Sequence, residues 1–191
     1  MSRYHDELWE LVPVDRGPAP PHLLEFVREL EPADRALDLG GGDGRLGAEL
    51  GATELTVADV SSVALDRARA RLPVAQLVAL EPDAPLPLPD SHFDLVLCAH
   101  VLEHVRDVQL FLSEAGRVLR PRGRLAVATP AHGRLAGLDV LLRGFERRFD
   151  PLSPRLRFIS RRSLTRLLAA MGFEVVEVSR RGGDLLAVAR R

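Results

Sequence analysis

Short apolar runs alternate with amphipathic stretches along most of the chain. The runs RALDL (35–39), ELTVAD (54–59), PVAQLVA (73–79), FDLVLCA (93–99) and GRLAVAT (123–129) are short and dense in aliphatic residues, and they read as strands. Helical patterns lie between them at 44–50, at 61–72 with Ser61 in the N-cap position, and at 107–119. Strand and helix repeated in this way predict a parallel sheet with right-handed crossovers. Ahead of it, residues 1–30 form a polar, partly helical lead-in, with PHLLEFVREL (21–30) an amphipathic helix started by Pro20 and Pro21.

The rhythm breaks at the end of the chain. A helix at 160–171, closed by Gly172, precedes FEVVEVS (173–179) and LLAVAR (185–190), and a turn with Gly182 and Gly183 joins these two runs. A hairpin there sets the last strand antiparallel to its neighbour. The expected fold class is α/β, a Rossmann-like doubly wound sheet of about seven strands, mostly parallel with an antiparallel last strand. Residues 130–159 are the one long irregular insertion. Its helical pattern at 135–145 gathers Leu135, Leu138, Leu141, Leu142 and Phe145 near one face, with Arg143, Arg147, Arg148, Arg155 and Arg157 around it.

Length and composition narrow the picture. A chain of 191 residues fits one domain, here residues 31–191 behind the 1–30 lead-in. Its 46% apolar and 28% charged content is ordinary for a globular protein, and no apolar run reaches the ~18 residues of a membrane span. The acidic, aromatic start MSRYHDELWE is unlike a secretion signal, so the expected location is the cytoplasm. The single cysteine, Cys98, excludes an internal disulfide and reads as a buried thiol. All 26 basic residues are arginine, a usage that points to a GC-rich bacterial genome or to adaptation to heat. A net charge of −1 and 5% aromatic content give no pull toward nucleic acid or an anionic membrane. The arginines are nevertheless uneven, with 10 in residues 1–119 and 16 in residues 120–191, which admits an anion-facing surface.

The chemistry concentrates in DLGGGDGRLG (38–47), where two nucleotide patterns overlap. Read from Gly42 it is G-x-G-x-x-G, closing on Gly47; read from Asp38 it is D-x-G-x-G-x-G, with Gly40, Gly42 and Gly44. Both put a glycine loop after the first strand, with backbone N–H groups aimed at a ligand, and both expect an acidic residue ending the second strand, which Asp59 supplies. Charge separates them. Asp38 and Asp43 would repel a diphosphate but favour a ligand carrying a sulfonium and an ammonium. The chain also lacks the length for a separate substrate domain, and its terminal hairpin departs from an all-parallel dinucleotide sheet. Gly47 then reads as a helix-packing glycine.

These motifs, with VADVS (57–61), LPLPDSHFDLVLCAHVLEHV (86–105), FLSEAGRVLRPRGRLAVATP (111–130) and LRFISRRSLTRLLAAMGFEVVEV (156–178), resemble the class I S-adenosylmethionine-dependent methyltransferases, in particular the small-molecule branch of ubiquinone-biosynthesis-type O-methyltransferases. The resemblance implies S-adenosylmethionine as cofactor. Asp38, Gly40, Gly42 and Gly44 would wall its methionine part, Asp59 would grip the ribose and Val60 would lie on the adenine. The adenine-facing acidic position falls at Glu81 or Asp83, of which Asp83, followed by Ala84, fits the usual pattern. Ala99, His100 and Val101 would stand at the mouth of the site, and the family's RPGG turn is RPRG here, from Arg120 to Gly123.

His100 and His132 follow the carboxyl ends of the fourth and fifth strands, where open α/β sheets bind ligands, and either is a candidate general base for a hydroxyl nucleophile. His100-Val-Leu-Glu103-His104 also spells the H-x-x-E-H of certain zinc peptidases. That chemistry needs both histidines on one helix, whereas His100 falls in a strand-to-helix turn, so no metal is expected and His104 reads as a first-turn helix residue. Tyr4, His5 and Trp9 would fold over the cofactor as a lid or pack on the sheet, and the 130–159 insertion would shape the acceptor pocket. The expected function is methyl transfer to a small molecule, most simply to oxygen, with nitrogen or carbon as alternatives, and with an anionic or lipid-linked acceptor. The rival readings are a nicotinamide-dependent oxidoreductase and a non-catalytic cofactor-binding scaffold. Monomer and homodimer are equally compatible with the sequence.

Overall fold

A computed structural model describes residues 2–132 and 156–191. The expected helix at 135–145, with its leucines, Phe145, Arg143, Arg147, Arg148 and Arg155, lies outside the described residues. The elements run α1 (Ser2–Leu11), α2 (Pro21–Glu29), β1 (Ala33–Leu39), β2 (Ala52–Asp59), α3 (Ser62–Arg71), β3 (Gln76–Ala79), β4 (Phe93–Ala99), α4 (Val108–Val118), β5 (Leu119–Pro130), α5 (Arg161–Ala170), β6 (Glu174–Arg181) and β7 (Asp184–Arg190). The strands form a seven-stranded sheet in the order β3-β2-β1-β4-β5-β7-β6. All pairs from β3 to β5 are parallel, and β7 runs antiparallel to β5 on one side and β6 on the other. The order reverses between β1 and β4, which opens a crevice at their carboxyl ends.

Alternation along each strand sends side chains to opposite layers. Leu37 and Leu39 of β1, Val96 and Cys98 of β4, and Leu125 and Val127 of β5 pack with Leu112, Ala115 and Val118 of α4 and Leu164 and Leu168 of α5. Ala36, Leu95, Leu97, Ala126 and Ala128 face the other way, onto Leu23, Phe26 and Val27 of α2. Val57 meets Leu65 and Ala68 of α3. Each fully buried leucine, such as Leu112 or Leu168, contributes about 1.5–3 kcal/mol of transfer free energy. Cys98 is fully buried, as expected, and burial lifts its thiol well above the ordinary pKa.

Local signals set the helix ends. Ser61 accepts from the Ala64 N–H at the start of α3, Asp107 accepts from the Gln109 and Leu110 N–H groups at the start of α4, and Ser160 and Ser163 cap each other at α5. Three expectations fail. The pattern at 44–50 is no α-helix but a short 3-10 turn at Gly47–Glu49, because Gly40, Gly42 and Gly44 all sit at positive φ. Strand β3 begins at Gln76 rather than at 73, since Pro73 has no N–H to give a ladder and Val74 is exposed. Strand β5 begins at Leu119, so RPRG is drawn into the strand, with a register shift against β4 and Arg122 at φ +66. A side chain is strained there, and Arg122→Gly is expected to raise stability by about 1 kcal/mol, read as a higher Tm in thermal melts. An unchanged or lower Tm would contradict it.

Candidate functional site

The glycine loop closes over the carboxyl ends of β1 and β2. Gly40 and Gly41 donate their N–H groups to the Ala58 carbonyl (2.7 and 3.2 Å), Gly42 donates to Asp59 Oδ2 (2.8 Å), and Gly44 donates to the Gly41 carbonyl (3.0 Å). The loop therefore spends these amides inside the protein instead of aiming them at a ligand, which corrects the expectation of an N–H cradle. Gly40 is obligatory for two reasons: its φ is +75, and a Cβ there would lie 2.4 Å from a Val101 methyl. The loops after β1 and β4 meet at that contact.

Asp38 lies beneath the loop, 2% exposed, with Oδ2 lacking a hydrogen-bond partner. A Cβ on Gly41 or Gly47 would come within 2.6 or 2.7 Å of its carboxyl group, so Gly47 makes room for Asp38 rather than for a helix. Burial, reinforced by the charge of Asp59, pushes Asp38 up to about 7. Asp59, at the end of β2, accepts from the Gly42 and Ser61 N–H groups (2.8 and 2.9 Å), and burial raises its carboxyl above the usual range despite those bonds. A carboxylate has about four lone-pair sites, so two remain for a diol such as a ribose. Val60, half-buried, follows directly.

Asp43 plays a different part from the one its sequence position suggested. Its carboxylate is ringed by Arg16 (3.2 Å), Arg45 (3.3 Å) and Arg71 (3.7 Å), so it is no negative charge facing a ligand. Asp83, at φ +56 in the turn after β3, has its carboxylate 4.0 Å from Arg106 in the loop after β4, and Ala84 follows it half-buried.

Helix α1 lies against this half of the site. Asp6 accepts from Ser61 Oγ (2.7 Å), Ser62 Oγ (3.2 Å) and the Val63 N–H (3.3 Å) at the start of α3, and these bonds, the Ser61 hydroxyl foremost, hold its carboxyl below its usual pKa. The Trp9 indole covers Gly42 so closely that a Cβ there would fall 2.5 Å away, and Arg16 and Arg67 stack over the ring at 4.7 and 5.7 Å. His5 is held below its ordinary pKa by burial, with Asp59 pulling the other way. Tyr4 stacks edge-on against His5 and is 46% exposed.

At the other half of the crevice, Ala99 ends β4 and His100 turns at φ +57, its N–H donating to the Ala128 carbonyl. His100 Nε2 lies 3.0 Å from Asp184 Oδ2, and His22 Nε2 lies 2.7 Å from the same oxygen. Neither Asp184 nor His22 was found from the sequence. The available signal was an acidic residue at an inward position directly after the hairpin glycines. Glu103, read from the sequence only as part of the H-x-x-E-H pattern, is 1% exposed and accepts from Thr129 Oγ1 (3.1 Å), and its Oε1 stands 3.8 Å from His100 Nδ1 and 3.9 Å from His104 Nε2. Residues 102–104 form a turn, none of 101–107 is helical, and α4 starts only at Val108, so His104 is not a helix residue and shares no helix face with His100. His132 Nδ1 lies 3.0 Å from the Pro130 carbonyl, and its ring meets Phe158 edge-on at 4.8 Å. A carbonyl only accepts, so Nδ1 carries the proton and Nε2 is the basic nitrogen of the neutral ring. The structure thus seats His100 and His132 with separate partners. Among the described residues no helix is long and apolar enough to cross a membrane.

Comparison with known proteins agrees with this layout. The profile of a family described as "Methyltransferase domain" matches residues 37–127. The chain is 38% identical over 105 residues to a demethylmenaquinone methyltransferase of Tropheryma whipplei, an alignment covering 53% of this chain and 44% of that protein. It is 30% identical over 178 residues to a ubiquinone biosynthesis O-methyltransferase of Azorhizobium caulinodans, covering 83% of this chain and 66% of that one. The first of these matches spans less than half of its relative's length. A solved S-adenosylmethionine-dependent methyltransferase of Thermotoga maritima superposes with a TM-score of 0.75 at 23% identity, covering 99% of this chain and 97% of the other, which speaks to the fold.

Proposed function

The chain belongs to the class I S-adenosylmethionine-dependent methyltransferases, and from that premise we propose that it binds S-adenosylmethionine between the glycine loop and α1 and methylates a hydroxyl of a small molecule. The observation that carries the cofactor reading is the loop itself, whose amides are spent inward above two buried carboxylates, Asp38 and Asp59. Such a floor suits a cationic ligand without phosphates and gives a dinucleotide nothing to hold. When bound, the cofactor supplies a methyl carbon activated by a sulfonium. Asp38, with its unpartnered oxygen, would face the cationic end; Asp59 would take the ribose hydroxyls on its remaining lone pairs; Val60 would lie against the base, and Asp83 with Ala84 would close the adenine side. Gly40, Gly42 and Gly44 leave room for Val101, Trp9 and Leu72 to pack against the loop.

Helix α1 is the lid in this reading. Trp9 already covers Gly42 and Asp6 already binds the start of α3, so closing over a nucleoside requires adjustment rather than a new docking event. His100 and His132 are the candidate bases, because both stand at the carboxyl ends of central strands with a defined basic nitrogen. Proximity and alignment supply much of the barrier reduction in such a displacement, with proton removal the smaller part. An oxygen nucleophile is favoured by this pair of imidazoles, and the O-methyltransferase relative supports it.

Trp9 is the sole tryptophan, so it reports on its own contact. Titration with S-adenosylhomocysteine is expected to change its emission in a saturable way, while NADH, followed by its own binding-induced fluorescence, should show no binding. A NADH affinity equal to or tighter than that of S-adenosylhomocysteine would overturn the cofactor reading. Release of S-adenosylhomocysteine from S-adenosylmethionine in the presence of catechol tests the acceptor class.

A further inference from the structure

Three elements distant in sequence bring His22, His100 and Asp184 to one point: the start of α2, the turn after β4 and the first residue of β7. Building on the methyl-transfer reading above, we propose that Asp184 is the positioning residue of the acceptor half of the site, fixing His100 so that its Nδ1 receives the proton of a hydroxyl acceptor.

The argument begins with hydrogen-bond inventory. An ionised carboxylate only accepts, so both histidines give it their Nε2–H. For His100 this leaves the lone pair on Nδ1. Asp184 is 6% exposed, and a charge buried to that degree is retained only when donors satisfy it; the two imidazoles at 2.7 and 3.0 Å do so. The surroundings are shaped for the contact. Gly182, at φ +55, has His22 so close that a Cβ would fall 2.2 Å from its ring, so the hairpin glycine lets α2 approach Asp184. His100 itself is held in the left-handed region, which is uncommon for a residue with a side chain and marks a position set by its neighbours.

The charges around His100 come from every element that meets it. Asp184 stands on β7 and His22 on α2; Glu103 and His104 lie in the turn that follows β4, with Glu103 anchored by Thr129 of β5. In the proton transfer the acceptor O–H bond breaks, a bond forms between that hydrogen and Nδ1, and the electron pair stays on the acceptor oxygen, which becomes the nucleophile. The resulting imidazolium lies between the Asp184 carboxylate at Nε2 and the Glu103 carboxylate 3.8 Å from Nδ1. It returns its proton to solvent after the product leaves. His22 keeps Asp184 from rotating away.

The test pairs a spectrum with a reaction. In 15N-histidine-labelled protein with S-adenosylhomocysteine, the neutral His100 ring is expected as the Nε2–H tautomer, and Asp184→Asn should abolish that preference; a neutral His100 protonated at Nδ1 in the unaltered protein overturns the proposal without recourse to any variant. With S-adenosylmethionine, Asp184→Asn should lower kcat for catechol about 10- to 100-fold while leaving S-adenosylmethionine affinity unchanged. For 4-nitrocatechol, which ionises without help, the loss should be several-fold smaller. Equal losses with both phenols would mark Asp184 as merely structural and sink the proposal. Asp184→Glu, which restores the carboxylate, should recover part of the catechol rate, and no recovery in a folded variant counts against the proposal. If the unaltered enzyme methylates neither phenol, the acceptor reading fails separately, and the tautomer measurement still decides the role of Asp184.

Discussion

Asp38→Asn should make the ligand-free protein more stable at pH 8, by about 2–4 kcal/mol, and at the same time a poorer binder of S-adenosylmethionine. The sign follows from the carboxyl's two environments. In the unfolded chain it titrates near the ordinary value of 3.8, whereas in the folded protein burial and the Asp59 charge push it up to about 7. The folded state therefore holds the proton more tightly, and stability falls as pH rises from about 4 to about 7, after which the whole penalty is present. Asparagine removes the charge and keeps the shape, so the difference between variant and parent should open across that window and close below it. Chemical denaturation at pH 4.5 and pH 8 measures this; a gap independent of pH, or a parent that is the more stable at pH 8, would contradict the account. Affinity for S-adenosylmethionine should fall about tenfold, the size of one partly screened charge interaction. Binding by the parent should release a proton near pH 6.5, visible in calorimetry as a dependence on the ionisation enthalpy of the buffer.

Asp59→Ala should weaken cofactor binding by about 1–3 kcal/mol, roughly 5- to 150-fold. Two losses combine. The ribose hydroxyls lose their acceptor, and the Gly42 and Ser61 N–H groups, now at 2.8 and 2.9 Å from the carboxylate, lose theirs. The second loss loosens the loop under Trp9, so the fluorescence of that residue should change in the variant even without ligand. Asp59→Asn is the sharper control, because its amide meets one of the two N–H groups with a donor. Unchanged affinity for S-adenosylhomocysteine in calorimetry would place the ribose elsewhere.

The sheet was legible because its strands are short apolar runs separated by helical patterns, one of them with Ser61 readable as its N-cap; the caps Asp107 and Ser160 were added by the structure. The antiparallel last strand was legible from Gly182 and Gly183. What the sequence hid was long-range. Nothing local distinguishes Asp43, which faces three arginines, from Asp38, which faces none, although both flank the same glycines. Loop amides look alike on paper, yet here they turn toward Ala58 and Asp59. His22 and Asp184 stand 162 positions apart, and no spacing rule joins residues across that separation. The aromatic cluster near residue 4 was readable, while the grip of α1 on α3 through Asp6 depends on a docking that only the folded chain reveals.

The placement of β7 has a consequence for how the molecule assembles. Strand β6 precedes it in the chain and pairs with it across the turn at Gly182 and Gly183, so the two can form a hairpin before β7 meets β5. Docking this hairpin on β5, where Arg124 meets Arg190 and Pro130 meets Asp184, joins segments far apart in sequence, as the pairing of β1 with β4 also does, and pairings of that span form slowly. Asp184 rides on the hairpin, so the crevice gains its second half only when that docking is complete, and a chain stalled before it would present the long flank of β5 as a template for aggregation.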